Sequence, residues 1–180
     1  MMAMRASICL RGPTAAKMVL SALPALQCPH LGGATSLEDL DAQETLLVLK
    51  PDVAEQPKVL EQVQRRLEEA SLRVVARGRV QMSQQTATAV YGQLADKFFF
   101  PDLVSFMSSG PSLILLVRGV DAIGRVRAMV GPTDPATARQ ADRTSLRAIF
   151  GQDRTRNGFH ASDHPKAVAR ELGVLCRWLA

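Results

Sequence analysis

The chain has 180 residues, 47% of them hydrophobic and 22% charged, an ordinary globular balance for one domain plus an extension. No apolar run is long enough to cross a bilayer as a helix, and Cys9, Cys28 and Cys176 have neither zinc-ligand spacing nor the look of a disulfide framework, which fits a reducing compartment. The net charge is +5, but the stretch before the first acid, Glu38, already holds Arg5, Arg11 and Lys17, so the charge argues only weakly for a nucleic-acid partner.

Residues 1–40 read as a leader. They are rich in Ala, Leu, Ser and Met, with spaced basic residues and almost no acids, the composition of a mitochondrial or plastid transit peptide. Pro24 breaks the apolar stretch after Lys17, which counts against a secretory signal. An unstructured extension without an address, leaving the protein in the cytoplasm, is the other reading. Residues 41–180 are the expected folded domain.

Within the domain, strands and helices alternate. Thr45–Leu49 is a short apolar strand stopped by Lys50-Pro51-Asp52. Pro57 opens a helix with Val59, Leu60, Val63 and Leu67 on one stripe. From Leu72 to Met82 the pattern alternates, with Leu72, Val74, Ala76 and Val80 on one face and Arg73, Arg77 and Arg79 on the other. Ser83 caps a helix carrying Tyr91 and Leu94. Ser112–Val117 is nearly continuous in apolar residues, as in a central strand covered on both faces. Asp121 is the expected cap of a helix with Ile123, Val126 and Val130 on its stripe, ended by Gly131-Pro132. An irregular stretch leads to a short segment ending at His160, and the last helix starts at Pro165, burying Val168, Leu172, Leu175 and Leu179. The order resembles βαββαβ, an α/β, ferredoxin-like antiparallel sheet with helices packed on one face. There is no Walker phosphate loop and no Gly-rich dinucleotide fingerprint.

The chemistry converges on His160. It follows an Asn157-Gly158 turn and precedes a helix start, where backbone N–H groups and the helix dipole favour a phosphate. Glu171, in the last helix, can fold back to hold one imidazole nitrogen while the other attacks. Lys50, Arg127 and Arg147 are candidate cations at separate element ends, and each read singly is as ordinary as any surface charge. Phe98-Phe99-Phe100 cannot all face one core, so at least one reaches the surface. A base-stacking platform, an oligomer contact and a bent, mostly buried loop all fit.

Taken together, these segments resemble the nucleoside diphosphate kinase family. The resemblance rests on Lys50-Pro51-Asp52; on Phe99-Phe100-Pro101 with Leu103-Val104 and Met107-Ser108-Ser109-Gly110-Pro111; on Gly131-Pro132-Thr133-Asp134-Pro135; and on Asn157-Gly158-Phe159-His160-Ala161-Ser162-Asp163, in that order. It implies a ping-pong kinase in which His160 is the phosphorylated nucleophile, oriented by Glu171 with help from Ser162. It further implies that Arg127, Arg147 and Thr133 bind the outer phosphates with Tyr91 close by, and that Lys50 and Asn157 contact the ribose, Lys50 also touching the transferred phosphate. Phe99 would stack on the base with Leu103 beside it, and Mg2+ would arrive on the nucleotide rather than in a protein metal site. A homo-oligomer is implied, with no membrane and no specific nucleic acid as partner. Four features depart from the pattern. Ala161 stands where the family has Gly, and the stretch between Pro135 and Arg147 is longer, as in a divergent branch that includes mitochondrial members. Arg154 replaces a small apolar residue near the base, and little chain follows Trp178, so any oligomer is expected to be smaller or looser than a tailed hexamer. A rival reading is a catalytically feeble, nucleotide-binding scaffold acting with a partner.

Overall fold

The computed structural model describes residues 41–180, so the leader expected over residues 1–40 lies outside them. The elements in chain order are β1 (Ala42–Leu49), α1 (Pro57–Glu69), β2 (Arg73–Gln81), α2 (Gln84–Tyr91), α3 (Phe100–Ser108), β3 (Pro111–Val120), α4 (Ala122–Val130), α5 (Pro135–Ala141), α6 (Leu146–Phe150), β4 (Phe159–Ala161) and α7 (Pro165–Leu175). The strands form one sheet in the order β2-β3-β1-β4, each neighbour antiparallel to the next. The ferredoxin-like βαββαβ skeleton is present, with α2 and α3 inserted before β3, and α5 and α6 before β4.

One expectation about the layers is corrected. Helices cover both faces of the sheet, not one. In the bare skeleton both crossover helices lie on the same side, but here the inserted pair and α7 fill the other. The reason is written in β1, where Leu46, Leu47, Val48 and Leu49 are all fully buried. Side chains alternate across a strand, so an unbroken apolar run demands two apolar layers. Leu47 and Leu49 pack with Val59, Val63 and Leu67 of α1 and with Val126 and Val130 of α4. Leu46 and Val48 pack with Val90 of α2, Met107 of α3 and Leu175 of α7.

The alternation expected from Leu72 to Val80 is also broken. Val75 is bulged out between the pairs Val74↔Val117 and Ala76↔Leu116. One extra residue swaps the faces on either side of it. Leu72 therefore joins the α1 layer while Ala76 and Val80 join the α2 layer, and Val74 and Val75 are left exposed.

Local signals explain most helix ends. The Ser83 hydroxyl accepts from the Thr86 N–H at 3.1 Å, as expected of a cap. Asp121 does not behave that way: it occupies the position before α4, but in the left-handed region (φ 51°), and its side chain makes no capping bond. The stretch expected to be irregular holds α5 and α6 instead. Asp134 accepts from the Ala136 N–H at 2.9 Å ahead of Pro135, a start signal as plain as the one at Ser83. Of the three adjacent phenylalanines, Phe98 is 94% exposed, while Phe99 and Phe100 pack partly against the α2 layer as α3 begins.

The chain's last residue returns to the edge strand, where Arg77 and Ala180 exchange two backbone hydrogen bonds of 3.1 Å. Gly78 permits this approach, because a Cβ there would lie 1.6 Å from the Trp178 carbonyl oxygen. A Gly78→Ala substitution is expected to push residues 178–180 off β2 and to cost about 1–3 kcal/mol, the range for overpacking. Urea unfolding with amide exchange at Arg77 and Ala180 is the check, with faster exchange at those two amides as the expected signature.

Candidate active site

His160 owes its position to a three-residue strand. In β4, Phe159 pairs with Leu49, His160 with Val48 and Ala161 with Leu47. Cross-strand partners share a face, so His160 projects to the side of Val48, toward α2 and α7, while Phe159 is fully buried in the α1 layer. On that side His160 Nε2 lies 2.9 Å from Glu171 Oε2. The same carboxylate oxygen accepts from the Ser162 hydroxyl at 2.6 Å, and Arg170 donates to the other oxygen at 3.3 Å. Burial acts to raise the Glu171 carboxyl, but the His160 bond and charge, the Ser162 hydroxyl and Arg170 outweigh it and hold the group below its usual value. An ionised carboxylate at that nitrogen makes Nε2 the protonated one, which leaves Nδ1 with a free lone pair. The Tyr91 ring meets the imidazole edge-on, with centroids 5.4 Å apart. The Tyr91 hydroxyl is buried without a hydrogen-bond partner, and burial keeps it protonated.

The helix start after His160 falls where the sequence implies, but one of its donors is already used. α7 begins at Pro165, and the imidazole of His164 accepts from the Ala167 N–H at 3.1 Å, using one of the helix-end donors expected to favour a phosphate.

The cations gather beside this network, with Arg147 and Tyr91 each acting on the other's charge. Arg147, on the short helix α6, is 9% exposed and donates to the carbonyls of Gly131 and Phe159. It thus ties the end of α4 to β4. Burial, and then the charge of Arg127, lower its pKa to about 10, so it remains a cation at neutral pH. Arg127 itself is exposed on the last turn of α4. Lys50 is 4% exposed and donates from Nζ to the Thr155 carbonyl at 3.2 Å. Burial is the largest cause of its low pKa of about 7, reinforced by Arg147 and opposed by Asp52 and Asp153. Asn157 donates to the carbonyls of Thr133 and Arg154 at 2.9 and 3.0 Å, while its own oxygen is buried and unpartnered.

This geometry is accompanied by extensive likeness to known proteins. The family model for nucleoside diphosphate kinase matches residues 43–177. The chain belongs to the nucleoside diphosphate kinase family. The nucleoside diphosphate kinase of Acidiphilium cryptum is 38% identical over 130 residues, covering 72% of this chain and 90% of that protein. That of Methanobrevibacter smithii is 36% identical over 132 residues, covering 73% and 85%. Among solved structures, a crystal form of the Aquifex aeolicus nucleoside diphosphate kinase superposes with a TM-score of 0.70 at 35% identity, covering 74% of this chain and 94% of the other. The apo enzyme of Encephalitozoon cuniculi gives 0.68 at 26% identity, covering 73% and 87%.

Set against the expectations from the family resemblance, His160, Glu171, Ser162 and Tyr91 form one contact network, and Lys50, Arg147, Arg127, Asn157 and Thr133 line the turns beside it. Phe99 and Leu103 stand apart, just before and within α3. Among the described residues no hydrogen bond or ring contact links them to His160, and Leu103, 6% exposed, is chiefly a core residue. Ala161 is extended strand backbone, and the described non-glycine residues with positive φ are Ser71 and Asp121, so the alanine brings no backbone strain. Arg154 pairs with Asp134 at 2.8 Å, fastening the turn before β4 to the start of α5. A cleft of about 640 Å3 opens between α3 and residues 153–156, lined by Asp102, Phe106 and Arg156 among others; it borders the site without containing His160. Sequence reasoning missed Asp52, whose carboxylate accepts from the Gly158 N–H at 3.0 Å. Its only signal was its place in the Lys50-Pro51-Asp52 turn.

Lys50 gives a pH prediction. Its folded pKa lies below the ordinary 10.5, so above about pH 7 the unfolded chain binds the extra proton and stability rises with pH. Lys50→Met is expected to remove that slope between about pH 7 and 9 and to raise stability at pH 7. Denaturant midpoints across this window check it; parallel slopes in the two proteins would contradict the assignment.

Proposed function

We propose that the protein transfers the γ-phosphate of a nucleoside triphosphate to a nucleoside diphosphate by a ping-pong mechanism through phospho-His160. The observation that carries this reading is the Glu171–His160–Ser162 network, because an imidazole fixed at Nε2 by an ionised carboxylate is a nucleophile at Nδ1. Nδ1 attacks the γ-phosphorus, the bond from that phosphorus to its bridging oxygen breaks, and the nucleoside diphosphate leaves. Glu171 balances the positive charge that develops on the ring, and the Nε2 proton stays in place. A second diphosphate then attacks the phosphohistidine with a terminal phosphate oxygen and restores the imidazole.

Phosphoryl transfer depends on positioning and on neutralising phosphate charge. Arg147, Arg127 and Thr133 take the outer phosphates, with Tyr91 closing the side of the ring. Lys50 and Asn157 take the ribose, and Lys50 also the phosphate in flight. Phe99 supplies a stacking face for the base, with Leu103 beneath it, which makes base selection weak because every base has a π-face. The substrate is the Mg2+ complex of the nucleotide, the metal riding on the phosphates that the cationic side chains here would meet.

Two properties of the whole chain complete the proposal. Residues 1–40 direct the protein to an organelle, mitochondria before plastids. A fusion of this segment to a fluorescent protein is expected to be imported, and a diffuse cytosolic signal would contradict it. The domain forms a homo-oligomer, which light scattering on dilution reads directly.

His160→Ala is expected to abolish turnover while leaving fold and nucleotide affinity nearly unchanged. Arg147→Ala is expected to raise KM and to lower kcat by roughly 10–1000-fold, since it contributes to both binding and charge neutralisation. Ala161→Gly is expected to leave turnover unchanged or slightly higher. Steady-state kinetics on the three variants with two nucleotide pairs checks all of this, and wild-type turnover in His160→Ala would overturn the mechanism.

A further inference from the structure

Asp52 has no part in the mechanism above, yet it sits at the point where the two halves of the site are joined. Gly158, with φ at +79°, is held from both sides by the turn after β1. The Lys50 N–H donates to the Gly158 carbonyl at 2.8 Å, and the Gly158 N–H donates to Asp52 Oδ2 at 3.0 Å. Two residues further on is His160. The Asp52 side chain therefore fixes the start of β4 through a bond that no strand pairing supplies.

A hydrogen-bond acceptor alone does not explain an aspartate here. Oδ1 of Asp52 is buried and makes no hydrogen bond, so the group bears the cost of a partly desolvated charge that an asparagine would avoid. The charge acts on Lys50, two residues back in the same turn. The charged groups around Lys50 are Arg147 from α6, which disfavours its cationic form, and Asp52 and Asp153, which favour it. Asp153 is committed elsewhere, accepting from the Thr155 and Arg156 N–H groups and pairing with the Arg156 guanidinium. Asp52 is left as the acid of the lysine's own turn.

We propose that Asp52 is a positioning residue with two separable tasks: its oxygen clamps Gly158 and so sets His160, and its negative charge keeps Lys50 a cation ready for phosphate. The second task rests on the proposed role of Lys50, and the first does not. Burial raises the Asp52 carboxyl itself, with the Gly158 bond and Lys50 opposing.

The two tasks are separated by Asp52→Asn, which keeps an acceptor and loses the charge, and Asp52→Ala, which loses both. ADP affinity by calorimetry and kcat for phosphate transfer are measured from pH 6 to 9 on the full chain, with thermal midpoints as a control for folding. For Asp52→Asn, kcat is expected to stay within about threefold of the parent at pH 6, while the pH at which ADP affinity falls moves down by about one unit. For Asp52→Ala, kcat is expected to drop at least about tenfold at every pH in addition to that shift. An Asp52→Asn protein identical to the parent across the whole range removes the charge task. Equal losses in both variants with no change in pH profile show a purely structural side chain and overturn the proposal. A parent protein that binds ADP but never transfers phosphate fails the reaction reading, and the binding profiles still decide the case of Asp52.

Discussion

Everything at this site depends on a three-residue pairing, β4 against the end of β1. The register Val48↔His160 decides the face on which the imidazole emerges, and a slip of one residue would send it into the α1 layer, where Phe159 now lies. The same strand end delivers Lys50 one residue past Leu49. Nucleophile and buried cation are thus fixed two positions apart at one end of the ladder, and Glu171 on α7 and Arg147 on α6 close on them. Covering the sheet on both faces has a functional consequence: helices of both layers contribute side chains to the site.

The site is assembled against its own electrostatics. Lys50 and Arg147 are both buried and each is disfavoured as a cation by burial and by a second positive charge, Arg147 for Lys50 and Arg127 for Arg147. Carbonyls hold both groups, Thr155 for Lys50 and Gly131 with Phe159 for Arg147, and the acids Asp52 and Asp153 add counter-charge at Lys50. A polyanionic ligand relieves both at once. The unpartnered Tyr91 hydroxyl and the Asn157 oxygen follow the same logic, buried polar atoms that the fold leaves for something else to meet.

Much of this was legible in the residues. The unbroken apolar runs of β1 and β3, the Ser83 cap, Pro57, Pro165 and the Gly131 stop each act through short-range physics that a sequence displays. The Val75 bulge was not legible, because alternation on either side of it looks continuous until the partner strand is known. Asp121 looked like a cap, but its left-handed backbone turns it away from that bond. α5 carried its start signal at Asp134-Pro135 and was still overlooked, its short length giving little periodicity to read. At the site, the Glu171 bond to His160 was anticipated from reach alone. The roles of Lys50, Arg127 and Arg147 came only through the family resemblance, since a lone basic residue looks the same buried or exposed. Asp52 was invisible for a different reason: its partner is a backbone N–H more than a hundred positions away, and no side-chain pattern marks such a bond.

The central claim is that Glu171 occupies Nε2 and leaves Nδ1 to take the phosphate. Phosphorus NMR of the protein after incubation with ATP and removal of nucleotide tests it, because the two phosphohistidine isomers resonate apart and differ in stability to acid. One acid-labile phosphate on Nδ1 of His160 is the predicted result. Phosphate on Nε2, on another residue, or nowhere while the protein turns over nucleotides would contradict it.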